Sequence, residues 1–424
     1  MSIKTLALAT AIIATPAVAQ QVIGKVSPKL GSDLLTPEVL WSFGRIGSVN
    51  VSPNDNKAVY TVSYFSKEQN KSHSVLYTMA LSNKTSKLLT ASSYNEHGGV
   101  FVNQGKSIIF LSNASGSSQI WMMNADGSNR QQISHEKTDV NDFLVSPDNK
   151  KIIMIMDVPQ HHSIQENDKD LPKASGMVIN DLMYKHWDHY VTTAPHPFVA
   201  DLNASSITNP IDLLASEPYE CPMEPFGGAE QLAWSPDSKQ IVYTSRKKVG
   251  LKYAISTDSD IYLYDLTSRK TVNLCKPSDY KEPESTQSLQ AQAVNHQQSD
   301  FNVGYDQNPQ FSPDGRYVAW LSMARDGYES DRSRLCVYEL STGKKQYVTE
   351  SFESSVNDFL WSSNSKDIYF TGVWHGAANI YATNLKGSVK KLTNDIADYS
   401  LVSLSPSNKG LIAKKHSMSQ ADEL

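Results

Sequence analysis

Phe311-Ser312-Pro313-Asp314-Gly315, running on into Val318-Ala319-Trp320, is the stretch that decides the fold. It reads as an apolar lead-in, a Ser-Pro-Asp-type turn and a β-rich run. The phrase returns along the chain. Val51-Ser52-Pro53-Asn54 leads into Ala58-Val59-Tyr60, and Val145-Ser146-Pro147-Asp148 into Ile152-Ile153-Met154. Trp234-Ser235-Pro236-Asp237 leads into Ile241-Val242-Tyr243, and Leu404-Ser405-Pro406-Ser407 into Leu411-Ile412-Ala413. Degenerate copies stand at Val102-Asn103-Gln104-Gly105 and Trp361-Ser362-Ser363-Asn364. Copies of one hairpin turn at this spacing indicate a β-propeller, one copy per blade. The expected fold is therefore all-β: a seven-bladed propeller with blades starting near residues 47, 98, 141, 229, 306, 356 and 399.

The second half of each blade checks the register. Ser74 to Met79 precedes Lys87-Leu88-Leu89-Thr90, and Gln119 to Met123 precedes Gln132-Ile133-Ser134. Asp260 to Asp265 precedes Thr271 to Leu274, and Arg334 to Tyr338 precedes Gln346 to Thr349. Asn379 to Thr383 precedes Lys390 to Thr393. Alternating apolar and polar residues with β-branched and aromatic enrichment mark half-buried strands.

The intervals after the third and fourth turn copies exceed the roughly 40–45 residues of an ordinary blade. They predict insertions, one from about Pro159 to Pro197 and one including Cys275 to Gly304. The first carries Met183, Tyr184 and Trp187, with Phe198 just beyond it, and is expected to be ordered; the second reads as a surface loop. The seventh blade is expected to be incomplete, with Leu411-Ile412-Ala413 as its first strand and the outer ones missing. Val22 to Val26 is a weak substitute. Ahead of the first blade, Thr36, Pro37 and Glu38 open a short helix containing Leu40, Trp41 and Phe43.

The 424 residues are 39% hydrophobic and 20% charged, with net charge -5, as expected for a soluble globular chain. That charge provides no footprint for nucleic acid. Lys4, the apolar run Leu6 to Ala14 and Ala17-Val18-Ala19 make residues 1–19 a signal peptide, so the chain is expected to be exported, periplasmic or extracellular. No later segment reaches the length of a membrane span. Cys221, Cys275 and Cys336 read as free or buried thiols, since a propeller of this size needs no disulfide staples.

No G-x-S-x-G, Walker, H-E-x-x-H or C-x-x-C motif occurs, so no catalytic residue and no cofactor is assigned. His161, His162, His186, His189 and His196 match no metal-ligand spacing and read as hydrogen-bonding side chains. The densest binding segment runs from Glu217 to Glu230. It holds Glu217, Glu220, Glu224 and Glu230, two aromatic residues and Gly227-Gly228. Carboxylates in a partly desolvated pocket would bind an ammonium group; in open water the same segment is a connecting loop.

Four segments outside the repeat carry a resemblance. They are Leu40 to Gly47, Asp181 to Tyr190 (Asp-Leu-Met-Tyr-Lys-His-Trp-Asp-His-Tyr), Pro225 to Gly228, and Gly304-Tyr305-Asp306-Gln307-Asn308-Pro309. Together with Met323 to Asp331, they resemble secreted bacterial members of the prolyl oligopeptidase family, in the acylaminoacyl-peptidase-like branch with dipeptidyl peptidase V. The resemblance implies a propeller that caps a C-terminal α/β-hydrolase domain bearing a Ser-Asp-His triad, which this sequence does not contain. It further implies an oligopeptide substrate cut two residues from its free N-terminus. In related dipeptidyl peptidases, propeller carboxylates hold the free amine; Glu230 and Glu224 are the candidates here, without a motif match that fixes either. The rival reading is a free-standing exported TolB-like propeller that binds a protein or ligand.

Overall fold

The computed structural model describes residues 23–54, 56–160, 168–176, 192–224, 227–280, 303–407 and 409–424. Residues 1–22, most of the third-blade insertion and most of the fourth lie outside them. So do His161, His162, His186, His189, Met183, Tyr184 and Trp187, and the expectation that the third-blade insertion is ordered concerns residues 161–167 and 177–191.

The chemistry of the recurrent turn explains why it recurs. Proline sets the backbone at the second turn position, and the flanking serine and aspartate bond to backbone groups of the same reversal. The Ser146 hydroxyl donates to Asp148 at 2.7 Å and accepts from the Lys151 amide at 2.9 Å. Ser235 repeats this with Asp237 and the Gln240 amide, and Ser312 with Asp314 and the Tyr317 amide. Ser362 does the same with Asn364 and the Asp367 amide. All four serines are buried. The turns close with a positive φ, at Asn149 (58°), Ser238 (61°), Gly315 (69°) and Ser365 (58°).

Each turn joins the first and second strands of a meander. Six sheets have four strands in sequential order, and the seventh has three. The innermost strands are Arg45–Val51, Glu96–Val102, Val140–Val145, Leu232–Trp234, Asp306–Phe311, Val356–Trp361 and Asp398–Leu404. The fold is a seven-bladed β-propeller. Successive blades pack face to face through apolar clusters. Ile109, Phe143 and Met154 join blades two and three; Ile153, Trp234 and Tyr243 join three and four. Val242, Val318 and Trp320 join four and five; Leu335, Phe359 and Phe370 join five and six. Each such side chain contributes roughly 1.5–3 kcal/mol when fully covered.

Four expectations need correction. Leu411-Ile412-Ala413 opens the second strand of blade seven, Leu411–Ser417, because Asp398–Leu404 precedes the turn and Gln420–Glu423 follows. Among the described residues this sheet thus has three strands, one fewer than each of the other six. Ile23 to Val26 forms no strand of that sheet; Ile23 packs with Leu424 against Tyr60, Val62 and Tyr64 of blade one. The third-blade insertion ends sooner than expected, since Thr193–Leu202 is a strand. It tolerates Pro195 and Pro197 because the next strand, Ile207–Asp212, pairs only with Phe198 to Leu202, and beyond it the proline carbonyls accept from the Cys221 and Leu213 amides with no proline N–H called for. Cys275 is fully buried core rather than surface loop.

The short helix α1 spans Pro37–Ser42, with the Thr36 hydroxyl accepting from the Val39 amide. The second helix among the described residues, α2, spans Gly250–Ile255.

Hydrogen bonds between neighbouring turns fix the two faces of the ring. The Asn103 amide donates to Asn149, the Asp148 amide to Ser238 and the Asp314 amide to Ser365. The Ser-Pro-Asp turns therefore lie together on one face. In a meander the connections between second and third strands, and between one blade and the next, emerge on the opposite face. This loop face carries α2, residues 213–231, residues 323–333 and both insertion sites.

Candidate functional site

The segment singled out from sequence, residues 217–230, crosses from blade three to blade four on the loop face. Its four carboxylates land in four different environments. Glu217 pairs with Lys247 at 2.6 Å. Glu220 is buried and accepts from the Tyr253 hydroxyl of α2. Glu224 is exposed. Glu230 is exposed in a single 3-10 turn, Ala229–Gln231, and accepts from the Gly228 amide at 2.9 Å. The tight path here requires Gly227: a Cβ would sit 2.4 Å from the Met223 carbonyl oxygen.

Glu230 does not stand alone. Asp142, on the innermost strand of blade three, faces it. Burial, reinforced by the Glu230 charge, raises the Asp142 carboxyl above its ordinary range, while the Phe143 and Ala229 amides oppose the rise. One exposed and one half-buried carboxylate therefore share the seam of blades three and four beside the channel, a pair that suits a cationic group. Sequence reading missed Asp142, which lies four residues before Ser146, just ahead of the repeated phrase.

Next to this pair, blades four and five are bolted together. The Arg246 guanidinium lies 4.2 Å from the centre of the Tyr253 ring and donates to the Ser256 carbonyl at 2.8 Å. Buried Asp326, from the 323–333 loop, accepts from the Ser256 hydroxyl at 2.8 Å and the Thr257 amide at 2.6 Å. Gly304 permits the close approach of that loop, since a Cβ there would meet the Met323 carbonyl oxygen at 2.4 Å. Val249, Leu251 and Ile255 of the α2 region and Tyr328 beside them are exposed.

Behind this surface lies a buried ionic network. The Lys276 ammonium sits 2.7 and 2.6 Å from the two Asp258 oxygens and 3.0 Å from Asp260, and Lys248 lies 3.0 Å from Asp258. Burial works against the Lys276 charge, but Asp260 and Asp258 outweigh it and hold the ammonium above its ordinary pKa. A cavity of about 300 Å³ opens onto Lys247, Lys248, Asp258, Asp260, Tyr262 and Lys276. Ligand atoms of Asp260, Cys275 and Asp306 lie within 4.8 Å of one another, with the Lys276 ammonium already supplying the positive charge beside Asp260. Of the five histidines considered from sequence, His196 is described. It is a buried strand residue paired with Asp212 at 2.9 Å.

Comparison with known proteins bears on this face. A family model described as the TolB beta propeller domain matches residues 41–195, and one described as the dipeptidyl peptidase IV N-terminal region matches residues 255–421. Dipeptidyl-peptidase 5 of Porphyromonas gingivalis is 39% identical over 412 residues, 96% of this chain and 56% of that protein. Dipeptidyl-peptidase 5 of Porphyromonas endodontalis is 37% identical over 388 residues, 91% of this chain and 52% of that protein. The chain thus spans about half the length of the curated relatives it matches. Among solved structures, the acylaminoacyl peptidase of Pyrococcus horikoshii superposes with a TM-score of 0.61 at 13% identity, covering 91% of this chain and 51% of that one. The β-propeller domain of the Trilobed protease from Pyrococcus furiosus gives 0.55 at 13% identity, covering 90% and 94%. At such identities these structures speak to the fold alone. No helix among the described residues is long and apolar enough to cross a membrane.

Proposed function

We propose that this chain, a propeller portion of the dipeptidyl-peptidase 5 branch of the prolyl oligopeptidase family, is the gating and substrate-filtering part of an exported serine exopeptidase that releases dipeptides from the free N-termini of oligopeptides. The similarity to dipeptidyl-peptidase 5 over 96% of the chain carries this reading. Export rests on the composition of residues 1–19.

Within that reading the loop face meets the peptide. Glu230, backed by Asp142, holds the free ammonium; Glu224, exposed in the same segment, is the alternative partner. Bound in water-accessible carboxylate company, the ammonium stays charged, and the contact is charge-assisted. In this reading the bond-breaking step is assigned to a Ser-Asp-His triad on an α/β-hydrolase domain, as the resemblance implies.

The test compares residues 20–424 with a protein extended to the relatives' length. The extended protein should release dipeptides from free-amine peptides and take up a fluorophosphonate on one serine; residues 20–424 should do neither. An extended protein without dipeptidyl activity would favour the rival, a ligand-binding propeller of the kind whose model matches residues 41–195.

A further inference from the structure

Asp306 opens the innermost strand of blade five, as Glu96 opens that of blade two. Both face the serine that starts or ends the pairing across the sheet, Ser322 and Ser112. Both are buried. Their surroundings differ in charge. Glu96 is ion-paired with Arg130. No cation pairs with Asp306 among the described residues; it accepts from the Trp320 indole N–H at 3.0 Å and faces another carboxylate, Asp260.

The difference has a second origin in blade four. At the end of the fourth strand, other blades place a hydroxyl that caps the third strand: Thr90, Ser134, Thr349 and Thr393 accept from the amides of Leu76, Ile120, Leu335 and Ile380. Ser134 and Thr393 also donate to a neutral amide oxygen, of Gln119 and Asn379. In blade four Cys275 takes the hydroxyl's place, its sulfur 3.2 Å from the Ile261 amide, and Asp260 takes the amide's place. An anion thus stands where blades two and six place a neutral amide, beside a second buried acid.

Asp258, Asp260 and Asp306 are three buried carboxylates beside two ammoniums, Lys248 on Asp258 and Lys276 on Asp258 and Asp260, so Asp260 and Asp306 cannot both ionise without leaving an uncompensated buried charge. We propose that Asp306 and Asp260 hold one negative charge between them, and that the proton kept on Asp306 latches blade five to blade four beneath the loop face. The Ser259 hydroxyl ties the two strands at the same level, donating to the Asp306 carbonyl at 2.8 Å and accepting from its amide at 3.1 Å. Loss of the proton sets a second negative charge against Asp260 and strains residues 256–260, the stretch whose Ser256 and Thr257 clamp Asp326. The 323–333 loop is then released from α2.

The charged and titratable neighbours include Lys248, paired with Asp258 at 3.0 Å, and Tyr262, whose hydroxyl donates to Asp260 at 3.4 Å. Blade four offers Asp260, Cys275, Asp258 and Lys276; blade five offers Cys336 and Tyr347, with Arg334 stacked 4.0 Å from the Tyr347 ring and Lys345 bound to the Cys275 carbonyl. Burial, reinforced by the Asp260 charge, pushes Asp306 up from 3.8 to about 7, against hydrogen bonds from Ser322, Cys275 and Trp320. The unfolded carboxyl ionises first. Stability carried by the proton is therefore full below pH 3.8 and lost as the pH rises through about 7.

The experiment is a melting series of the 424-residue chain from about pH 5 to pH 8, wild type beside Asp306→Asn, with hydrogen exchange read over residues 256–260 and 323–333. The wild type should lose melting temperature relative to the variant as pH rises, and protection in both segments, corrected for the base-catalysed intrinsic exchange rate, should fall in the wild type alone. A difference between the two proteins that is constant with pH overturns the latch. Should Asp306→Asn fail to fold, Asp260→Asn serves instead. It removes the opposing charge and should move the wild-type midpoint to lower pH by roughly one unit; an unmoved midpoint overturns the proposal, as does a melting temperature lowered by a chelator, which would make the cluster a metal site.

Discussion

On the turn face, Ser146, Ser235, Ser312 and Ser362 repeat one hydrogen-bond pattern with almost no variation in partner or distance. On the loop face, Glu96, Asp142, Glu230 and Asp306 stand at or near the starts of four innermost strands, and no two share an environment. Repetition marks what every blade needs in order to fold. Departure from the repeat marks where the ring is free to do something other than fold, and the departures gather where blades three, four and five meet.

The comparison can be broken from the turn side first, where the largest effect is expected. Ser312→Ala removes a buried hydroxyl and leaves the Tyr317 amide and Asp314 without their partner. It should cost about 1–3 kcal/mol of stability in urea titration of the chain. Peptide selectivity of an extended protein should not change. A selectivity shift would show that the turn face takes part in recognition.

Glu220→Gln probes a loop-face carboxylate that is structural. Glu220 is buried, accepts from Tyr253 and lies beside Arg246. The substitution should cost about 1–2 kcal/mol and slow free-amine and N-acylated peptides alike. Glu230→Gln is the opposite case. Because Glu230 is exposed, stability should stay within about 0.5 kcal/mol of wild type, while use of free-amine peptides falls roughly tenfold, the equivalent of about 1.5 kcal/mol for a charge-assisted contact. N-acylated peptides should be unaffected. Equal loss on both peptides would move the amine site to Glu224.

The two faces were not equally legible in the sequence. The turn face was readable because its chemistry is local: a serine, a proline and an aspartate within a few residues fix both the reversal and its hydrogen bonds. In the seventh blade the run after the turn, Leu411-Ile412-Ala413, reads as the first strand because Asp398–Leu404 before the turn is half-exposed and lacks a continuous apolar pattern. Pro195 and Pro197 read as loop because proline breaks a ladder, and only the register shows that strand Ile207–Asp212 stops short of them, so no ladder amide is needed there while their carbonyls accept from the Cys221 and Leu213 amides. On the loop face the 217–230 segment was found, since its composition is unusual. Which of its carboxylates is buried was not, because Tyr253, Lys247 and Asp142 reach it from other blades. Cys275 lies one residue past the run Thr271 to Leu274, and its equivalence to Thr90 and Ser134 appears only when the strands are aligned by their hydrogen bonds.

The most direct test of the account asks which face a peptide touches. A non-hydrolysable oligopeptide with a free N-terminus and a photoreactive group beside it would be bound to the extended protein, irradiated and mapped by mass spectrometry. The account predicts labelling within residues 213–231, 246–259 and 323–333, suppressed when the peptide's amine is acetylated. Labelling centred on the Ser-Pro-Asp turns around Ser146, Ser235 and Ser312, or labelling indifferent to the amine, would contradict it.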